Sequence, residues 1–485
     1  MKHFYLLIAL LACQALANAQ QADTNRVQLP FAISDQKRMP ASELEDKKEG
    51  TFVTGVPRVQ FDPIRGFGAG GNVNLFINND KNDPFFEYTP YRHRLNAEFF
   101  IFENGRVRYA VNYDAPYIFN TKWRLRADVV VWEDPEAQFW GIGRDAMNEG
   151  LSFRDKRNNT IRRFNRIRDY EANLALAEQG ADGLHYTDLH FNNMIQRERL
   201  YNFLFERVMM DGRLRLMFGY EALFNGFQSY NGRAVNDVTN LNGETVDAFH
   251  NQTRVDQQLA DGTFERFNLA GFNNNERLNF TSMFAWALMY DTRDFEPDPS
   301  KGVFLQYSHE YSAPWAGSQF NFNKFMLQGQ VVHTLARWRG GKNRLTFAGL
   351  AAFGHIFGPR ISFIEMWDLS SQAEAGGILV MGGERSLRGY REARFVAPTA
   401  ALINLELRSR LYDLRFLKQH LALGLTPFFD MGSVWDKPAD LSFTGWRAAP
   451  GLGGRIAWNQ STIVRLDYGH SREGGQFFFG FGQIF

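Results

Sequence analysis

Arg106-Val107-Arg108-Tyr109-Ala110-Val111-Asn112-Tyr113-Asp114 alternates apolar and polar side chains with a period of two. In an extended strand Val107, Tyr109, Val111 and Tyr113 share one face, and Arg106, Arg108, Asn112 and Asp114 share the other. The next segment repeats the pattern, with Trp123, Leu125, Ala127, Val129 and Val131 opposed to Lys122, Arg124, Arg126 and Asp128. Further along, Ile403, Leu405 and Leu407 oppose Asn404, Glu406 and Arg408, and Val464, Leu466 and Tyr468 oppose Arg465 and Asp467. Sixteen such segments are expected between Thr51 and the last residue, each about ten residues long.

The 485-residue chain carries 46 Phe and 43 Gly, and its 54 Lys+Arg nearly cancel 53 Asp+Glu. A net charge of +1 offers no field to gather nucleic acid, so no nucleic-acid partner is expected. Lys2, the apolar stretch from Phe4 to Ala12 and the small residues Ala17 and Ala19 read as a secretory signal peptide over 1–19. The single cysteine, Cys13, falls inside it, which removes disulfides, a thiolate nucleophile and a cysteine metal site from the mature chain. A competing use of Leu10-Leu11-Ala12-Cys13 as a lipidation site leaves a short apolar core. Beyond Ala19 no apolar run reaches the roughly 18 residues of a membrane helix.

A soluble sandwich also alternates, but export and aromatic richness favour an antiparallel transmembrane β-barrel, with its apolar face in lipid and its polar face in a wet lumen. The expected organisation is a flexible periplasmic lead over 20–51 and an outer-membrane barrel over 52–485, in a Gram-negative bacterium. Segments 210–212, 338–343 and 459–461 would be short periplasmic turns, and 134–196, 225–277 and 357–399 long external loops. The final segment, 476–485, puts Phe477, Phe479, Phe481 and Phe485 on one face and Gly480 and Gly482 on the other. It resembles the C-terminal assembly signal of bacterial outer-membrane barrels.

Between the eleventh and twelfth expected strands lies Met381-Gly382-Gly383-Glu384-Arg385-Ser386-Leu387-Arg388-Gly389-Tyr390. This stretch closely resembles the sixth-loop motif of the BamA/TamA superfamily of outer-membrane barrels, the bacterial surface antigen family. Phe428-Phe429-Asp430-Met431-Gly432 is similar to that family's thirteenth-strand motif, and the turn from Tyr290 to Gly302 resembles its Asp-x-Arg-Asp turn. The resemblance implies that the sixth loop folds into the barrel and that Arg388 meets Glu406 and Asp430. Strand parity independently turns both acids inward. Arg388 suits such a position through its planar fork, Gly389 through close backbone approach, and Tyr390 by packing on the wall. The pairing serves either to fix the loop or to form part of a moving gate.

The resemblance further implies outer-membrane biogenesis: insertion or translocation of proteins, or transfer of lipid, with outer-membrane proteins as clients and a seam between residues 56–63 and 477–485. Only 20–51 precedes the barrel, too short for a periplasmic polypeptide-transport-associated (POTRA) domain, so a separate periplasmic partner is expected to capture clients. Lipid surrounds such a barrel, and lipopolysaccharide phosphates fit the basic run Arg154, Lys156, Arg157, Arg162, Arg163, Arg166 and Arg168, which a solvated charged loop explains more simply. No catalytic residue, metal ligand or cofactor is expected: Ser308 and His309 are adjacent on a strand and face opposite sides, and the histidines lack metal-ligand spacing. The alternative function is a restricted passive pore whose lumen is made positive by Arg94, Arg108, Arg124, Arg126, Arg213, Arg215, Arg408 and Arg465.

Overall fold

The computed structural model describes residues 28–39, 44, 47–62, 65–274, 277–294, 298–339, 343–369, 379–416, 419–458 and 462–485. The expected signal peptide with Cys13, Pro63 of the expected seam, and turn residues 340–342 and 459–461 lie outside the described residues, as does the side chain of Phe481.

The long strands are β1 (Gly50–Asp62), β2 (Gly66–Asn78), β3 (His93–Phe102), β4 (Val107–Ala115), β5 (Trp123–Gln138), β6 (Asn193–Met209), β7 (Leu214–Gln228) and β8 (Asn279–Asp291). They continue as β9 (Lys301–Ser312), β10 (Asn321–Trp338), β11 (Asn343–Ser362), β12 (Thr399–Arg410), β13 (Gln419–Trp435), β14 (Arg447–Trp458), β15 (Thr462–Ser471) and β16 (Gly474–Phe481). Each pairs antiparallel with the next. Two short pieces bring the sheet to 18 strands. Tyr412–Phe416 continues β12 past Leu411 and pairs with the start of β13, and Leu269–Ala270 adds in parallel to the end of β11. Neither is long enough to show a period in sequence. β1 and β16 come within 8 Å of one another, and among the described residues no register joins them.

Burial along the strands is inverted relative to a water-soluble sheet. Leu405 and Leu407 on β12 are 37% and 40% exposed, whereas Asn404 and Glu406 are 0% and 1%. Phe99, Tyr109, Phe205, Leu305, Leu327, Leu452 and Leu466 join a broad exposed apolar face, and Asn96, Glu206, Glu310, Lys324, Asp430 and Asp467 are buried on the other. A sandwich buries its apolar faces, so this distribution is that of a sheet built for an apolar surround. No helix among the described residues is long and apolar enough to cross a membrane.

The long connections gather at one end. Segments 177–179, 185–187, 234–239 and 245–250 form a four-stranded sheet that joins the β5–β6 and β7–β8 loops through the parallel pairs Phe249 with Tyr186 and His250 with Thr187. The main apolar core lies inside, where Phe363, Trp367, Met381, Leu387 and Tyr390 of the β11–β12 connection pack with Phe139, just past β5, and Phe227, near the end of β7. At the opposite end, Leu29, Phe31 and Ile33 pack on Phe85, Tyr88, Tyr117 and Val208. Ser34 N–H donates to the Asp211 carbonyl at 2.7 Å, and Lys37 lies 3.5 Å from Asp291.

Candidate functional site

The β11–β12 connection places its glycine-rich stretch against the inner faces of β12 to β15. Gly382 and Gly383 take φ of 108° and 95°, and the Ser386 hydroxyl accepts from Gly382 N–H at 3.0 Å, folding the segment into a compact turn. The turn points Arg388 away from its own loop and into the wall.

Arg388 is 0% exposed. Its Nε and Nη2 donate to the two oxygens of Asp430 at 2.8 and 2.9 Å, a bidentate pair, and its backbone N–H reaches the same carboxylate at 3.1 Å. Nη1 donates to Glu406 at 2.8 Å and to Asp467 at 3.2 Å. The guanidinium carbon sits 3.4 Å from the centre of the Phe428 ring, so cation–π attraction adds to the charge pairing. Burial opposes the charge, but the carboxylates of Asp430 and Glu406 outweigh it, and the Arg388 pKa lies above its ordinary value.

Strand parity explains why these groups meet. Glu406, Asp430 and Asp467 stand on inward positions of β12, β13 and β15, and the loop crosses all three. Arg408, Arg455 and Arg465 share the same acids: Arg408 donates to Glu406 at 2.7 Å, and Arg465 donates to Asp467 at 3.0 Å. Asn404 bridges the Ser386 carbonyl and Asp430, 2.7 Å from each. Charges this deeply buried persist only when paired and hydrogen-bonded, as here.

Gly389 has φ 113°, and a Cβ there would meet the Ala449 Cβ and the Gly469 backbone at 3.1 Å. Gly469 in turn leaves room for the Arg388 carbonyl, which a Cβ would approach to 2.5 Å. Tyr390 is 2% exposed and packs edge-on against Phe395. Downstream, Arg394 forms a bidentate pair with Glu473 at 2.9 Å, Arg391 reaches Glu171, and Glu392 accepts from Arg65 at 2.6 Å.

The structure brings Arg388, Gly389, Tyr390, Glu406 and Asp430 together. Asp467 and Phe428 complete the cluster; the sequence placed Asp467 on a polar strand face, but nothing local marked it as a partner of the loop.

The last segment departs from expectation. β16 ends at Phe481, Gly482 turns with φ 77°, and the chain bends inward. Phe477 is exposed, but Phe485 lies 4.7 Å from Arg408 and its carbonyl accepts from that residue at 3.0 Å. Phe485 therefore leaves the outward face predicted for it, because glycine's left-handed backbone breaks the alternation.

Other candidates resolve into structural contacts. Ser308 is buried on the inner face, whereas His309 bonds Trp286 and Asn323 on the outer face. Arg154 pairs with Glu178, Lys156 with Asp188 and Arg162 with Asp155. The inner arginines are largely neutralised: Arg124 by Asp114, Arg126 and Arg215 by Glu206, Arg108 by Glu98. The positive lumen of the pore alternative is not what these pairs build.

Residues 89–485 match the family model of the Omp85 superfamily domain, and residues 29–92 match a domain of unknown function, DUF5982. No curated protein is similar in sequence. Similar solved structures include BamA from Haemophilus ducreyi lacking POTRA domains 1–3, at TM-score 0.48 and 11% identity, covering 90% of this chain and 70% of that one. CdiB from Acinetobacter baumannii matches at TM-score 0.44 and 10% identity over 90% of this chain, and CdiB from Escherichia coli at 0.46 and 9% over 87%. The chain spans 60% and 58% of those two CdiB chains. By the match over residues 89–485, the protein belongs to the Omp85 superfamily.

Proposed function

We propose that the protein is an outer-membrane biogenesis factor that inserts or translocates polypeptides without enzymatic chemistry. In this reading β1 to β16 close as a sixteen-stranded barrel, delivered by an N-terminal signal peptide, and the seam between β1 and β16 parts to offer an unpaired strand edge to a client. The observation that carries the reading is Arg388, fully buried on three carboxylates inside the wall. A folded loop anchored this way occupies the lumen that a diffusive pore would keep open.

Two features support a weak seam. Pro57 interrupts the hydrogen-bonding capacity of β1, and no register joins β1 to β16 among the described residues. The clients are outer-membrane proteins captured with a separate periplasmic partner, and lipopolysaccharide meets the external basic loop, where Arg157, Arg166 and Arg168 are exposed.

The test is depletion of the protein followed by quantification of the outer-membrane proteome and of surface-exposed phospholipid. Loss of several unrelated barrels supports polypeptide insertion. Phospholipid exposure with intact barrels redirects the function to lipid transfer, and no change in either removes the biogenesis reading.

A further inference from the structure

The β11–β12 connection has a second buried charge cluster, remote in sequence from Arg388. Lys324 on β10 lies 2.8 Å from Glu310 on β9 and 2.6 Å from Glu365, which sits in the helical turn Phe363–Trp367 at the start of the connection. Glu310 and Lys324 are direct cross-strand partners. All three side chains are almost completely buried. Glu198 on β6, Glu221 on β7 and Asp368, just past the helical turn, face the same region, so Lys324 sits among five carboxyls.

The helical turn is also held by contacts that carry no charge. Its five residues are buried, the Trp367 indole donates to the Gln138 carbonyl at 3.0 Å, and Phe363 packs on Phe139, Phe227 and Phe264. Those apolar contacts favour docking, but they bring Glu365 among other acids. Burial pushes the Glu365 carboxyl up from its ordinary value even with Lys324 beside it. Without Lys324 the same burial would set carboxylates against one another in a low-dielectric interior, where their repulsion is strong.

We propose that Lys324, with Glu310 and Glu365, forms a second latch on the β11–β12 connection, which keeps the Phe363–Trp367 turn inside the wall and releases independently of Arg388. The two anchors grip different halves of the connection: Lys324 holds Glu365 on the β9–β10 side, and Arg388 holds the glycine-rich turn on β12, β13 and β15. Lys324 is a positioning residue, acting through Glu365 on where the helical turn sits. This deepens the reading of the connection as the moving part of a biogenesis factor and rests on that reading for its consequence: the lumen opens in two separable steps.

The test is accessibility of a thiol at Met366, which is 1% exposed. Met366→Cys in a Cys13→Ser background is reconstituted in phospholipid vesicles and treated with a membrane-impermeant maleimide. Adding Lys324→Met should speed labelling by at least about tenfold, the signature of a lost local docking energy. Arg388→Ala should leave the thiol protected. The charge swap Lys324→Glu with Glu365→Lys keeps the net charge of the cluster and an opposite-charge pair between β10 and the helical turn, and should restore protection. Where Lys324→Met fails to reach the heat-modifiable folded form, Lys324→Gln takes its place and should also speed labelling.

Unchanged labelling in the folded Lys324→Met or Lys324→Gln protein overturns the latch, as does a swap that folds but stays exposed. Equal exposure from Arg388→Ala overturns its independence. The assay contains no client, so its failure is separable from a failed depletion experiment, which overturns the function and leaves the latch standing.

Discussion

Arg388 shows why one residue type is required. It fills three carboxylates and stacks on Phe428 at once, which demands a flat, multiply donating cation. Arg388→Lys keeps the charge but loses the fork and the stacking face, so the loop should become protease-sensitive while the barrel still folds; limited proteolysis with and without heating checks this. Arg388→Ala removes one side of a buried pairing, which costs about 3–5 kcal/mol. Because Asp430 holds Arg388 through both its oxygens, Asp430→Ala added to Arg388→Ala should cost far less than Asp430→Ala alone, and a double-mutant cycle on loop proteolysis measures the coupling. Arg388, Glu406 and Asp430 were legible because the glycine-rich motif named the first and strand parity turned the other two inward. Asp467 has the same parity, yet which strand the loop crosses depends on tertiary packing that no local pattern encodes. Lys324 and Glu365 escaped for the same reason: a lysine on an alternating strand looks like any lumen residue until a loop folds onto it.

Elements divide by how far their structure is local. Strands were readable because inward and outward residues alternate regardless of what lies beyond them: β4 begins and ends close to where alternation places it, and β5 begins there but runs five residues further, to Gln138. Loops were not, since the parallel pairing of Phe249 with Tyr186 joins segments from two different connections. The close contact of loop and wall at Gly389 and Gly469 is an element-level constraint. Gly389→Val adds bulk at φ 113° and against Ala449, so it should reproduce the loop exposure of Arg388→Ala with every charged residue still present. Loop proteolysis of the two variants side by side checks the equivalence. At the last strand, Phe477 and Phe485 should separate. Phe477→Asp puts a charge on the exposed apolar face and should lower the amount of folded protein in the membrane fraction, whereas Phe485→Ala, on the inner side against Arg408, should leave that amount close to normal.

For the whole molecule, apolar side chains outside and paired charges inside determine how it responds to its surroundings. The inner arginines face Asp114, Glu206, Glu98, Glu406 and Asp467, so the interior carries little free charge. Reconstituted in a planar bilayer, the protein should conduct in small, brief steps with a reversal potential near zero in a salt gradient; a wide, steady, anion-selective current would restore the pore alternative. High salt should change the protease resistance of the loop little, since buried pairs are screened far less than exposed ones.

The strap at the short-turn end has a mechanical meaning. Residues 29–37 run from the aromatic pocket of Phe85 and Tyr117 to Asp211 between β6 and β7 and to Asp291 at the end of β8. A pull on this segment would be shared among turns spread over half the sheet and would not fall on β1 alone. The strap is thus laid out like a drawstring, one length of chain threaded past the ends of several hairpins.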